Sequence, residues 1–204
     1  MNRAIITGTI DSAFEFDTHR NGEDYFLFYV SCERLSGVID RIPCLAPEHI
    51  IKNSFGMASK ITIKGRIYTY NHNRKLVIRV LAEKMHDAKK EDNNYVKING
   101  FLCKTPILRT TPMGRYISDL LIASNHSKNK SDYIPCIAWG ENAIFAPNCK
   151  VGDRIKLEGR IQSREYIKKI SEEYSEQRIA YEVSVSKMEV IEIEKCKDQV
   201  ADAE

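Results

Sequence analysis

Residues 40–44, Asp-Arg-Ile-Pro-Cys, return at 132–136 as Asp-Tyr-Ile-Pro-Cys. At the same offset Ile6 matches Ile98, Gly8 matches Gly100 and Gly22 matches Gly114. A second block, ITIKGRI at 61–67, recurs as IKLEGRI at 155–161 with the offset lengthened by two. A chain that says nearly the same thing twice folds as two similar units, so the repeat constrains the architecture before composition is considered. Its 204 residues suit two units of roughly 90, a size that supports small independent cores. Features kept in both copies point to fold, and features kept in one point to function.

Both copies read as β-rich. In the second, strand candidates fall at 95–102, 116–123, 133–139, 154–166 and 179–193. Alternation is clearest where Ile155, Leu157, Gly159 and Ile161 share one face against Lys156, Glu158, Arg160 and Gln162. A short helix is expected at 141–151, cut by Pro147, with a counterpart at 47–56 in the first copy. Asn21-Gly22 and Pro112-Met113-Gly114 mark turns at equivalent places. Three strands, a helix and a two-strand hairpin predict an all-β chain of two tandem OB-folds. These are five-stranded Greek-key barrels with a short helix between strands 3 and 4. The expected boundaries are a first fold at 1–85, a linker at 86–94 and a second fold at 95–194. The tail at 195–204 is expected to be disordered.

Charge restricts partners only mildly. The net charge is +3, and residues 189–204 are acidic, so the body of the chain is slightly basic. That balance permits a polyanionic partner without demanding one. The start of the sequence lacks an apolar signal stretch and no run approaches the roughly 20 residues of a membrane span. The six scattered cysteines read as free thiols, and the expected setting is a reducing cytoplasm. The five histidines show no metal-ligand or catalytic spacing, and there is no phosphate-binding glycine motif. No cofactor, metal or enzymatic activity is expected.

Four stretches of the second copy carry a family resemblance. They are Asn94-Tyr95-Val96 with Gly100, and Pro106 with Thr111-Pro112-Met113-Gly114. The others are 133–140 (YIPCIAWG) and Gly152-Asp153 with 158–166 (EGRIQSREY). In this order they resemble bacterial single-stranded-DNA-binding proteins over residues 94–190. The resemblance implies a non-enzymatic binder of single-stranded DNA in replication, recombination or repair, with stacking aromatics at Tyr133, Trp139 and Tyr166. The family assembles four OB-folds, which implies a homodimer of this chain. It also implies an acidic tail with an apolar tip for recruiting replication or repair enzymes. Residues 198–204 have no bulky apolar end.

Independently of the resemblance, bases stack on flat aromatic side chains and phosphates need nearby cations. Tyr133, Pro135, Ile137 and Trp139 share one strand face, which suits a stacking platform unless that face is the core. Arg160, Arg164, Lys168 and Lys169 are candidates for a phosphate track, though glutamates interleave with them. Arg115 lies on the turn that precedes the second copy's second strand. In the first copy Arg41 and Pro47 stand where the second has Tyr133 and Trp139, while Arg66, Tyr68 and Tyr70 remain on the hairpin. The asymmetry predicts weaker or different binding by the first copy. An alternative is an OB-fold adaptor for protein partners in replication or plasmid maintenance, with little or no nucleic-acid binding.

Overall fold

A computed structural model of the chain describes residues 1–51, 55–127, 130–171 and 174–191. The expected tail and the end of the last strand candidate at residues 192–193 lie outside them, as do Glu172 and Glu173 of the second hairpin. Twelve strands make up most of the described residues. The first half contains β1 (Asn2–Ile10), β2 (Glu15–Arg20), β3 (Glu23–Glu33), β4 (Ile39–Pro47), helix α1 (Glu48–Ile51), β5 (Lys60–His72) and β6 (Lys75–Asp87). The second contains β7 (Asn93–Leu102), β8 (Ile107–Thr110), β9 (Tyr116–Ser127), β10 (Lys130–Trp139), helix α2 (Glu141–Phe145), β11 (Arg154–Lys169) and β12 (Ser175–Ile191).

Pairing closes each half into a ring. In the first, β1 pairs with β3, β3 with β4, β4 in parallel with β6, β6 with β5, and β5 returns to β1. In the second, β7, β9, β10, β12 and β11 repeat that circuit, including the one parallel step between β10 and β12. Each circuit is the Greek-key barrel of an OB-fold. Two strands were not foreseen: β2 and β8 extend β3 and β9 outward as hairpins. Every residue of β8 is exposed, so neither burial nor alternation announces it.

The alternating blocks form the core. Ile61, Ile63 and Ile67 are fully buried, as are Ile155 and Ile161, and burying each such side chain stabilises the fold by roughly 1.5–3 kcal/mol. Ile-Pro-Cys is kept twice because it fills both rings. Ile42 and Cys44, like Ile134 and Cys136, point into the core. Burial pushes the Cys44 and Cys136 thiols well above their ordinary range, and that of Cys32 up to about 12. In a Cys196→Ser background, Ellman's reagent is expected to label Cys103 in the native protein. Cys32, Cys44, Cys136 and Cys149 should react only on unfolding; rapid native labelling of Cys44 or Cys136 would contradict this packing.

Helix α2 stops at Phe145, earlier than the sequence suggests. Pro147 lacks an N–H donor, and residues Ala146–Asn148 tighten into a 3-10 turn. The first hairpin turns at Asn73 and Arg74, both with positive φ. Their left-handed conformations suit a two-residue turn whose twist matches the flanking strands.

The rings are joined by a strand pair. β1 runs antiparallel to β7, with Asn2 opposite Ile98 and Ile6 opposite Asn94. Because Asn2 and Ile6 are the repeat equivalents of Asn94 and Ile98, the junction has an internal two-fold. The same two-fold governs its side chains. Asn2 donates to the Ile67 carbonyl at 2.7 Å and accepts the Ile67 N–H at 2.9 Å. Asn94 does likewise with Ile161, at 2.7 and 3.0 Å. One continuous sheet results.

Candidate nucleic-acid interface

The second ring's strand β10 alternates as expected. Ile134, Cys136 and Ala138 are in the core, whereas Tyr133 is 50% exposed and Trp139 is half-buried. Ile137 lies on the outer face yet is covered, because that face forms the floor of grooves rather than open surface. Three grooves follow it in order. The largest, about 1020 Å³, is lined by Ile137 and Trp139. Pro135 lines the next, of about 690 Å³, and Tyr133 the last, of about 520 Å³. One strand face thus runs along all three.

Most of the sequence-predicted residues meet these grooves. Trp139, Arg160, Arg164 and Arg115 line the first. The Trp139 indole N–H donates to Ser184 Oγ at 3.1 Å, which fixes the ring on the groove wall. Arg164 continues into the second groove, which Tyr166 and Lys168 also line. There the Arg164 guanidinium stands 5.7 Å from the centre of the Tyr166 ring, a cation–π arrangement that holds the tyrosine in place. Tyr68 lines the third groove opposite Tyr133, and Tyr133 N–H donates to Thr69 Oγ1 at 2.8 Å. Lys169 is exposed at the end of β11 and lines none of the three.

Arg66 and Tyr70 are differently employed. The Arg66 guanidinium is ion-paired with the buried Asp132 carboxylate, so its charge is already neutralised. Tyr70 stacks on Tyr68, with centroids 5.4 Å apart and planes at 28°, and Arg79 covers it at 5.4 Å. This tyrosine pair is satisfied by its own neighbours. Arg41, at the position equivalent to Tyr133, lies 4.1 Å over the Tyr29 ring and pairs with Asp11 at 3.0 Å. Pro47, equivalent to Trp139, is buried. The first ring therefore lacks an exposed aromatic face where the second has one.

Residues not anticipated from sequence are mostly cations. Arg34, from the loop after β3, crosses the junction to line the first groove, and Arg109 of β8 joins it there. Arg109 is paired with Asp119. Arg20 caps the third groove, its Nη2 donating to Tyr68 Oη at 2.6 Å. In the second, Arg74 and Lys75 come from the turn of the first long hairpin and Arg178 from β12, opposite Tyr166. Burial pushes the Tyr181 hydroxyl in that groove up to about 12, so it stays neutral. A neutral phenol between cations adds no charge to repel a phosphate. No repeat motif marks these positions; only the docking of one ring on the other assembles them. Among the described residues no cluster of His, Cys, Asp and Glu is arranged to hold a metal, and no helix is long and apolar enough to cross a membrane.

Comparison with known proteins agrees with this architecture. Over nearly its full length the chain superposes on the wild-type single-stranded DNA binding protein from Thermus aquaticus. The TM-score is 0.72 at 18% identity, covering 97% of this chain and 96% of that one. That likeness carries the fold across both rings. In sequence, 80 residues are 38% identical to single-stranded DNA-binding protein B of Bacillus subtilis, covering 36% of this chain and 71% of that protein. A match of the same length to single-stranded DNA-binding protein 2 of Listeria innocua is 35% identical and covers 36% of this chain. It spans 50% of that relative, and the corresponding match to the Clostridium tetani protein spans 55%. The single-strand binding protein family matches residues 93–191, the whole of the second ring. With a ring circuit shared across both halves and that level of identity in one of them, this chain belongs to the single-strand binding protein family.

Proposed function

We infer that the chain binds and protects single-stranded DNA along the outer face of β10, in replication, recombination or repair. The observation that carries this reading is the run of Tyr133, Pro135, Ile137 and Trp139 through three successive grooves, with arginines of both rings alongside. Aromatic faces take bases of any sequence, and guanidinium groups take phosphates, so the surface fits a single strand rather than a duplex. The relatives' names support the same substrate. Tyr133, Trp139 and Tyr166 are the stacking residues, and Arg115, Arg160, Arg164, Lys168 and Lys169 the phosphate contacts. The first ring lends cations more than platforms. The rings act as domains at 1–85 and 95–194, two chains form a homodimer of four folds, and the protein works in the cytoplasm without catalysing a reaction.

Trp139 is the single tryptophan, so quenching of its fluorescence by oligo(dT) reports directly on the first groove. Anisotropy of a labelled strand across a salt series should show affinity falling with salt, and weaker binding to duplex. Trp139→Ala should weaken binding roughly 5- to 150-fold, the equivalent of the 1–3 kcal/mol of one base–aromatic stack. Absence of binding at low salt would reject this function and favour the adaptor alternative.

A further inference from the structure

The two-fold at the junction assembles one constellation twice, and the two versions differ in a single charged group besides a Thr-to-Ser change. On one side stands Asp132 with Arg66, Thr69 and His126. Their repeat equivalents on the other side are Asp40, Arg160, Ser163 and Arg34. Both carboxylates are buried, at 0% and 1% exposure. Both accept a backbone N–H from the opposite ring, Asp132 from Thr69 at 3.0 Å and Asp40 from Ser163 at 3.4 Å.

The cations are partnered differently. Asp132 is held by Arg66 of the opposite ring, and His126 Nδ1 stands 3.0 Å from the same carboxylate oxygen. Asp40 is instead gripped by its own ring's Arg34, through Nε at 2.6 Å and Nη2 at 2.5 Å. Such a fork-on-fork contact uses both carboxylate oxygens. Arg160, the counterpart of Arg66, is left without that partner. Its guanidinium reaches Gln162 Oε1 at 3.5 Å, and its buried Nε has no hydrogen-bond partner. The nearby acids are engaged elsewhere: Glu182 accepts from Gln162 at 3.1 Å and lies 3.9 Å from Arg164, and Asp119 is paired with Arg109. Burial and the neighbouring Arg34 charge both push the Arg160 guanidinium below its ordinary pKa. An under-partnered cation lining a groove beside a second and a third arginine favours an incoming anion.

We propose that Arg160 is the receptor for one backbone phosphate where the strand crosses from one ring to the other, and that Arg34 keeps it open by holding Asp40. Arg34 is a positioning residue here, and its equivalent site at Arg66 is closed because His126 leaves Asp132 to the opposite arginine. This assignment rests on the single-strand-binding reading and specifies where the strand crosses the junction.

The test is the slope of log affinity against log salt for a labelled oligo(dT), measured for the full chain and its variants. Each phosphate neutralised on a single strand contributes about 0.7 to that slope. Arg160→Gln should make the slope shallower by about 0.7. Arg34→His, which recreates the arrangement around Asp132, should let Asp40 capture Arg160 and produce the same loss. Adding Arg160→Gln to Arg34→His should then change nothing further, and His126→Arg should steepen the slope by freeing Arg66. A purely structural Arg34 would lower thermal stability without moving the slope, which overturns the proposal. An unchanged slope in Arg160→Gln also overturns it, and decides the matter even if Arg34→His does not fold. Wild-type protein that binds no strand overturns the functional reading together with this one. Wild-type binding with a normal slope in Arg160→Gln overturns this one alone.

Discussion

Asp132→Ala is expected to destabilise the fold by about 3–5 kcal/mol, the range for removing one partner of a buried ion pair. The carboxylate is completely buried and serves several groups from the other half of the chain. Arg66 is paired to it, Thr69 N–H donates at 3.0 Å and Asn2 Nδ2 approaches at 3.5 Å. His126 is a further neighbour from β9 of its own ring, at 3.0 Å. Deleting it strands the Arg66 charge, whose side chain is only 15% exposed, and orphans the Thr69 N–H. The midpoint of urea unfolding should fall accordingly. Pairing the change with Arg66→Met should recover part of the loss, since the stranded charge would be gone. An Asp132→Ala protein with the wild-type midpoint would show that this carboxylate does not hold the rings together.

Gly65→Ala should cost about 3 kcal/mol or more, at or beyond the upper end for overpacking. A Cβ on Gly65 would lie 1.9 Å from the Leu81 carbonyl oxygen, and one on its equivalent Gly159 would lie 2.2 Å from that of Ser184. Both positions sit where the register between the two long hairpin strands slips by one residue. The backbones approach so closely there that only hydrogen fits, and the obstacle is main chain rather than a side chain that can turn away. Gly56→Ala, where a Cβ meets nothing within 4 Å, should stay within about 0.5 kcal/mol of wild type. Thermal unfolding of the two variants separates the cases. Equal stability of Gly65→Ala and wild type would contradict the packing at the bulge.

The retained glycines of the Gly-Arg-Ile strand show why much of the fold was legible in sequence. Period-two alternation and a repeated block identify a strand whatever its neighbours, so β5, β10 and β11 were found from sequence alone. β2 and β8 escaped because exposed strands owe their existence to a pairing partner, and local residues carry little sign of it. Alternation puts Gln162 on the face opposite the core isoleucines, yet it is only 8% exposed, because that face forms a groove wall. Trp139 and Tyr133 could be selected because one copy keeps features the other has lost. Arg34 could not. Its role depends on which of two arginines reaches Asp40 first, a competition decided by three-dimensional packing across the junction.

The connection between β6 and β7 spans only residues 88–92, yet it changes what the β1–β7 pairing means. Two separate chains meeting through such a pair would form an association equilibrium, and dilution would part them. Tethered by so short a segment, the two surfaces see one another at an effective concentration on the order of millimolar or above, so the pairing persists at any dilution. The tether also relaxes a constraint of inheritance. In a symmetric dimer every substitution is written twice, once on each side of the axis, and a change that improves one side must be tolerated by the other. Here the sides are encoded separately, so an arginine at 34 can face a histidine at 126, and one half can specialise while the other remains as scaffold.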